Sequence, residues 1–166
     1  FHALLRQQPY TPLAPFSHEI HYGPAEAPVV LTAVLSPTCG PCAAAFDQLR
    51  GLVQKYPGDL RLTIRFLPSA DPAPTGKNQK IRHLLSVALS EGPEAFAQAL
   101  ESAFAHPDGG AEKPGQTTHP QAEALLHEHL RWSRDVDISH TPTVFVGPYL
   151  LPPRYAVSDL KHLLFQ

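Results

Sequence analysis

Cys39-Gly40-Pro41-Cys42 is the string in this 166-residue sequence whose residue types and spacing suit chemistry best. The chain has two cysteines, so any disulfide within it joins Cys39 to Cys42. Such a bond closes so short a loop that it constrains the unfolded chain very little. The pair therefore reads as reactive rather than as a staple. Apolar Val29–Leu35 precedes it and a helical pattern follows it. This places the pair at a helix start, where unpaired N–H groups and the helix dipole favour thiolate over thiol. Cysteines in such motifs titrate at roughly 3.5–7, against about 8.5 for free cysteine. Cys39, at the open end, is the expected nucleophile. Cys42, one turn further in, is the expected resolving thiol. Gly40 lets the chain turn, and Pro41 fixes φ at a position whose N–H would have no partner. The competing reading is a half zinc site or two idle core cysteines. Zinc asks for four ligands at spacings such as C-x₂-C with H-x₃₋₅-H, and the close pair His127-x-His129 has the wrong spacing. No metal and no cofactor are expected.

These residues need elements to hold them. Residues 1–28 carry Pro9, Pro12, Pro15, Pro24 and Pro28, and read as an extended lead-in with one short strand at Ser17–Tyr22. Val29–Leu35 reads as a buried strand. A helix is predicted from about Gly40 to Tyr56, with Ala45, Phe46, Leu49, Leu52 and Val53 on its stripe and Pro57-Gly58 as its stop. Leu60–Leu67 alternates, with Leu60, Leu62, Ile64 and Phe66 inward and Arg61, Thr63 and Arg65 outward. This strand–helix–strand order implies a right-handed parallel unit. A break at 68–75 precedes three helical patterns. Ile81, Leu84, Leu85, Ala88 and Leu89 mark the first, and Phe96, Leu100, Ala103 and Phe104, behind Pro93, the second. A polar loop, His106 to Thr118, separates the third, which Pro120 opens and whose face is Ala122, Leu125, Leu126, His129 and Trp132 or Ser133. Thr143–Val146 is a short strand, Gly147-Pro148 a turn, and Tyr149–Leu151 its hairpin partner. Ser158 is expected to cap a last helix with Val157, Leu160 and Leu164 inward.

Composition narrows the function classes. The chain is 43% hydrophobic and 17% charged, enough for one domain with its own core. Its net charge of −2 argues against an electrostatic nucleic-acid binder. Nineteen prolines and ten glycines are about a sixth of the chain, below the roughly 25–30% that signals disorder. The longest apolar run, Val29–Leu35, is far short of the ~20 residues of a membrane helix. The sequence starts at Phe1 and has no methionine. It is therefore expected to be a processed protein or a piece of a longer one.

Thr141-Pro142-Thr143-Val144 opens the later strand. On composition alone it is a turn, with proline allowed where a strand begins. Taken together, the strand, the Cys-Gly-Pro-Cys helix, the second strand, the helices and the Thr-Pro strand–hairpin–helix resemble the thioredoxin-like superfamily. The resemblance covers 28–67 and 138–166, and implies an α/β thioredoxin fold with a central mixed sheet. Residues 1–27 would be the lead-in and 28–166 the thioredoxin-like domain. The helical segment at about 76–135 is similar to the insert of bacterial periplasmic disulfide oxidases. The strings Ser36 to Cys42, His140 to Val146, Tyr149 to Pro152 and Asp159 to Lys161 look like the thioredoxin-like domain fused behind bacterial vitamin K epoxide reductase homologues.

The resemblance implies a thiol–disulfide oxidoreductase with a cis Thr141–Pro142 bond against the cysteines. The backbone of Thr141 would pair with a substrate strand, and Pro142 offers no competing N–H. Thr38, Gly40, Pro41 and His140 would support the site, with His140 read either as raising the positive potential near Cys39 or as an ordinary surface histidine. Partners would be protein thiols and disulfides and a membrane-embedded, quinone-linked vitamin K epoxide reductase-like domain. The location would be the periplasmic side of the bacterial envelope, with the cytoplasm as the alternative. Two features differ from thioredoxins: Ala33 stands at the position of a buried Asp, and Thr38 at that of a Trp. The Gly40-Pro41 pair is the one reducing thioredoxins use. A reducing carrier and a non-enzymatic peptide-binding module are the alternative functions, and the intact cysteine pair argues against the second. His129, on an apolar face, reads as a core histidine, Trp132 as core, and Arg131, Arg134, Asp135 and Asp137 as a solvated helix end.

Overall fold

The structure is a computed structural model that describes residues 1–71, 76–107 and 118–165. Parts of the expected break at 68–75 and of the polar loop 106–118 lie outside the described residues. Five strands form one sheet in the order β1-β3-β2-β4-β5. They are β1 (Ile20–Tyr22), β2 (Val29–Leu35), β3 (Leu60–Phe66), β4 (Thr143–Val146) and β5 (Tyr149–Leu150). β2 and β3 run parallel, joined by helix α2 (Gly40–Lys55), and the other pairings are antiparallel. The sheet is therefore mixed, and the fold is the α/β thioredoxin fold with an inserted helical segment. The insert contributes α3 (Gly76–Glu91) and α4 (Pro93–Ala105), followed by α5 (Ala122–Asp135).

The period-2 alternation of the strands divides the interior in two. On one face Leu31, Ala33, Leu35, Leu60, Leu62, Ile64, Phe66, Val144 and Val146 pack with Phe46 and Leu49 of α2 and with buried residues of α3, α4 and α5. On the other, Val34 and Phe145 meet Trp132, with Leu13, Phe16, Ile138 and Leu150 at the edges. Thr63 and Arg65, read as outward from the alternation, point into this second layer. They do leave the main core, but Arg65 is only 2% exposed and Thr63 is also buried.

The cover comes from the proline-rich start of the chain. The guanidinium of Arg65 donates to Glu19 Oε1 at 2.7 Å and to the Ala14 carbonyl at 2.8 Å. It lies over the rings of Phe16 and Trp132, 3.8 and 4.5 Å from their centroids, where a cation meets the negative face of each ring. Trp132 Nε1 donates to the Pro12 carbonyl at 3.0 Å. The start of the chain is also not wholly extended: His2–Arg6 is a short helix, α1, and the strand expected at Ser17–Tyr22 is confined to Ile20–Tyr22. At the other end, Val157–Asp159 is a 3-10 turn leading into α6 (Leu160–Leu164). Ser158 lies inside that turn rather than capping it, and the Asp159 carboxylate accepts the Ala156 N–H at 2.8 Å.

His129 sits in the core, 1% exposed. Its Nδ1 accepts the N–H of Phe66 at 2.9 Å, and its ring lies 4.6 Å from that of Phe16. Burial, with Arg65 nearby, pushes its pKa down to about 3. The unfolded chain therefore binds a proton below about 6.5 that the folded chain refuses. Stability from this site is complete above pH 6.5 and is lost as pH falls toward 3. Between pH 6.5 and pH 5, above the range of ordinary carboxylates, urea titrations are expected to show a loss on the order of 2 kcal/mol. His129→Asn, which keeps an acceptor for Phe66 but cannot take up the proton, is expected to flatten that slope.

Candidate active site

The register of the central strands assembles the site. In the antiparallel β2–β4 pair, Val34 stands opposite Thr143 and Leu31 opposite Val146. The C-terminal end of β2 is thus beside the N-terminal end of β4. The chain leaving β2 enters Ser36–Cys39, and the chain entering β4 passes through Thr141 and Pro142, so the two motifs meet at one edge. The Thr141–Pro142 bond is cis, as the resemblance implies.

Cys39 is the residue before α2, with φ −97° and ψ 116°, and Pro41 falls in the first turn. The Cys39 N–H donates to the Ser36 carbonyl at 3.1 Å, making a tight turn out of β2. Ser36 and Thr38 hydroxyls lie 3.1 Å apart. No side chain caps the helix, and its first turn carries no acidic residue. The free N–H groups and the positive end of a 16-residue helix are thus available to a charge on Cys39.

The two sulfurs are joined in a disulfide, with the Cα atoms 5.3 Å apart. Their surroundings differ sharply. Cys39 is half-buried beside exposed Gly40, Pro41 and Thr38. Cys42 is 0% exposed and lies in the main core. Ala33 is fully buried in β2 between Ile64 and Val144, so the sheet there offers hydrocarbon. Apolar burial raises a thiol's pKa and a helix start lowers it. Of the two sulfurs, Cys39 is the one at the helix start and Cys42 the one in apolar surroundings.

Cys39 Sγ lies 3.5 Å from the Thr141 carbonyl oxygen. Thr143 Oγ1 donates to the His140 carbonyl at 2.7 Å and closes the turn before β4. His140 is exposed, and its ring nitrogen meets the Ser139 hydroxyl at 3.4 Å. The structure thus brings Cys39, Cys42, Thr141 and Pro142 together. It sets His140 on the adjoining loop with no hydrogen bond to either sulfur. The start of the chain, Pro9 and Thr11, also borders this loop, and no motif in the sequence points to that placement.

A sequence profile of the family described as thioredoxin matches residues 17–164. The chain belongs to the thioredoxin family. A joined Cys-x-x-Cys pair at a helix start makes this member a thiol–disulfide oxidoreductase. No curated protein matches it in sequence. Among solved structures, it is similar to the catalytic domain of Proteus mirabilis ScsC, with 18% identity over 88% of this chain and 86% of that one and a TM-score of 0.65. It is also similar to the thiol-disulfide exchange protein α-DsbA2 from Wolbachia pipientis, with 15% identity over 87% and 84% of the two chains and a TM-score of 0.67. A periplasmic thioredoxin-like protein from Salmonella enterica serovar Typhimurium gives 16% identity over 88% and 87%, with a TM-score of 0.63. At these identities the likeness shows a shared thioredoxin fold. No helix among the described residues is long and apolar enough to cross a membrane.

Cys39→Ser is expected to abolish reaction with a small disulfide, because the sealed Cys42 thiol cannot attack in its place. Cys42→Ser is expected to leave Cys39 able to form mixed disulfides that persist, read as stable adducts by intact mass. Retained exchange in the Cys39 variant would contradict the assignment.

Proposed function

We propose that this thioredoxin-family chain forms disulfides in client proteins of the bacterial cell envelope. The observation that carries the reading is the unequal pair: one sulfur reachable at the helix start beside the Thr141 carbonyl, the other sealed in the core. A client thiolate attacks Cys39 Sγ and the Cys39–Cys42 bond breaks. Cys42 leaves with the electron pair and takes up a proton. A second client thiolate then attacks the client sulfur of the mixed disulfide, and Cys39 leaves as thiolate. The client has lost two electrons and gained a disulfide, and the chain holds them as a dithiol. Thr141 presents its backbone to the client strand, and Pro142 keeps an N–H out of that spot. Gly40 and Pro41 keep the approach to Cys39 open, and Thr38 and His140 border it.

Re-oxidation would come from a membrane-embedded, quinone-linked thiol oxidase of the vitamin K epoxide reductase type, with residues 28–166 as the soluble thioredoxin-like part of such a system. The envelope setting is supported by the periplasmic protein from Salmonella enterica that shares the fold. The Gly40-Pro41 pair favours a second reading, a reducing carrier. The reduction potential of the pair against glutathione separates the two. A potential well above about −230 mV, toward the −180 to −120 mV of oxidising members, is the expected result. A value near −270 mV would favour the carrier. Mixed disulfides trapped in cells on Cys42→Ser are expected to contain a membrane thiol oxidase and envelope substrates, and cytosolic clients alone would overturn the envelope role.

A further inference from the structure

A groove of about 200 Å³ runs along the chain that leads into the Thr141–Pro142 turn. Pro9, Thr11, Asp137, Ile138, His140 and Leu150 are among the residues that line it. Its walls are fixed from several sides. The Thr11 N–H donates to the Pro148 carbonyl at 2.9 Å, and Tyr10 bridges to Tyr149. Trp132 and Arg65 hold Pro12 and Ala14 just beyond. On the opposite side, the Ile138 N–H donates to the Ser133 carbonyl at 2.8 Å and ends α5 in a tight C-terminal turn. The His140 end of the groove is one residue from Thr141, whose carbonyl lies against Cys39.

Asp137 occupies the left-handed position of that turn, with φ 59°, where glycine or asparagine is the usual residue. Helix termination alone would be better served by either. Asp137 is exposed, is the one carboxylate among the groove's lining residues, and forms no ion pair with any described residue. No lysine or arginine lines the groove.

We propose that Asp137 is a specificity-determining residue, and that this groove takes an extended client segment with an apolar side chain and a basic one beside the reacting cysteine. The proposal rests on the oxidoreductase reading and adds to it the class of client. The apolar side chain rests on the half-buried Val136, Ile138 and Leu150. The basic one meets the Asp137 carboxylate, and the cysteine of the same segment reaches Cys39 past Thr141.

The test uses two reduced peptides, each with leucine near a single cysteine, one with lysine and one with glutamate on both sides of it. The rate of mixed-disulfide formation with the oxidised protein is divided by the same peptide's rate with the uncharged 2-hydroxyethyl disulfide, which removes the effect of the flanking charge on the peptide thiol itself. The full chain is expected to prefer the lysine peptide by about three-fold. The preference is expected to shrink as salt is added. Asp137→Asn, which keeps a residue suited to the turn, is expected to bring the ratio close to one while reaction with dithiothreitol is unchanged. Asp137→Gly is expected to do the same with no loss of thermal stability, which separates lost selectivity from lost folding. Equal normalised rates in the unaltered chain, or a preference that survives in Asp137→Asn, would overturn the groove proposal alone. Failure of the unaltered chain to react with dithiothreitol would overturn the oxidoreductase reading, and the groove proposal with it.

Discussion

The pairing of β2 with β4 is the constraint on which the site depends. Because the two strands are antiparallel, the end of one must lie beside the start of the other. That alone brings residues a hundred positions apart, Cys39 and Thr141, to within 3.5 Å. The register is strongly specified, because a slip of one residue would turn Val144 and Val146 out of the main core and send Thr143 and Phe145 into it. Both faces of the sheet are covered, so the slipped arrangement could not be reached without burying a wrong set. The redox site is in this sense a by-product of hydrophobic patterning in two short strands.

The chemistry follows from an asymmetry that the fold imposes on two identical side chains. A helix start lends Cys39 partial positive charge and a route to solvent, and one turn later Cys42 is inside hydrocarbon. The apolar Ala33, Ile64 and Val144 beneath the helix reinforce that difference, because they offer a buried thiolate nothing to pair with. The two cysteines therefore have unequal surroundings even though they share one bond.

Much of this architecture was legible in the residues. The helical stripe of Ala45, Phe46, Leu49 and Leu52 and the alternation of Leu60 to Phe66 gave α2 and β3 nearly to the residue, since each pattern is local and periodic. His129 was legible as core for the same reason. Arg65 was not. Its position in the alternation is correct, but its burial depends on Pro12, Ala14, Phe16 and Glu19 crossing the second face of the sheet, and an aperiodic, proline-rich segment carries no signal of what it covers. The groove beside His140 was hidden likewise, because its walls come from residues more than a hundred positions apart. Asp137 read as one of several charges at a solvated helix end. Only its backbone angle and its place on that groove distinguish it.

Helix position and burial make two chemically identical cysteines unequal. Alkylation of the reduced protein measures this directly. Iodoacetamide is added in small amounts at pH 7 under native conditions, and the label is located by peptide mapping at several times. Cys39 is expected to be modified faster than Cys42 by about tenfold or more, and unfolding in urea is expected to remove the difference. Equal labelling of the two in the folded protein, or faster labelling of Cys42, would contradict it.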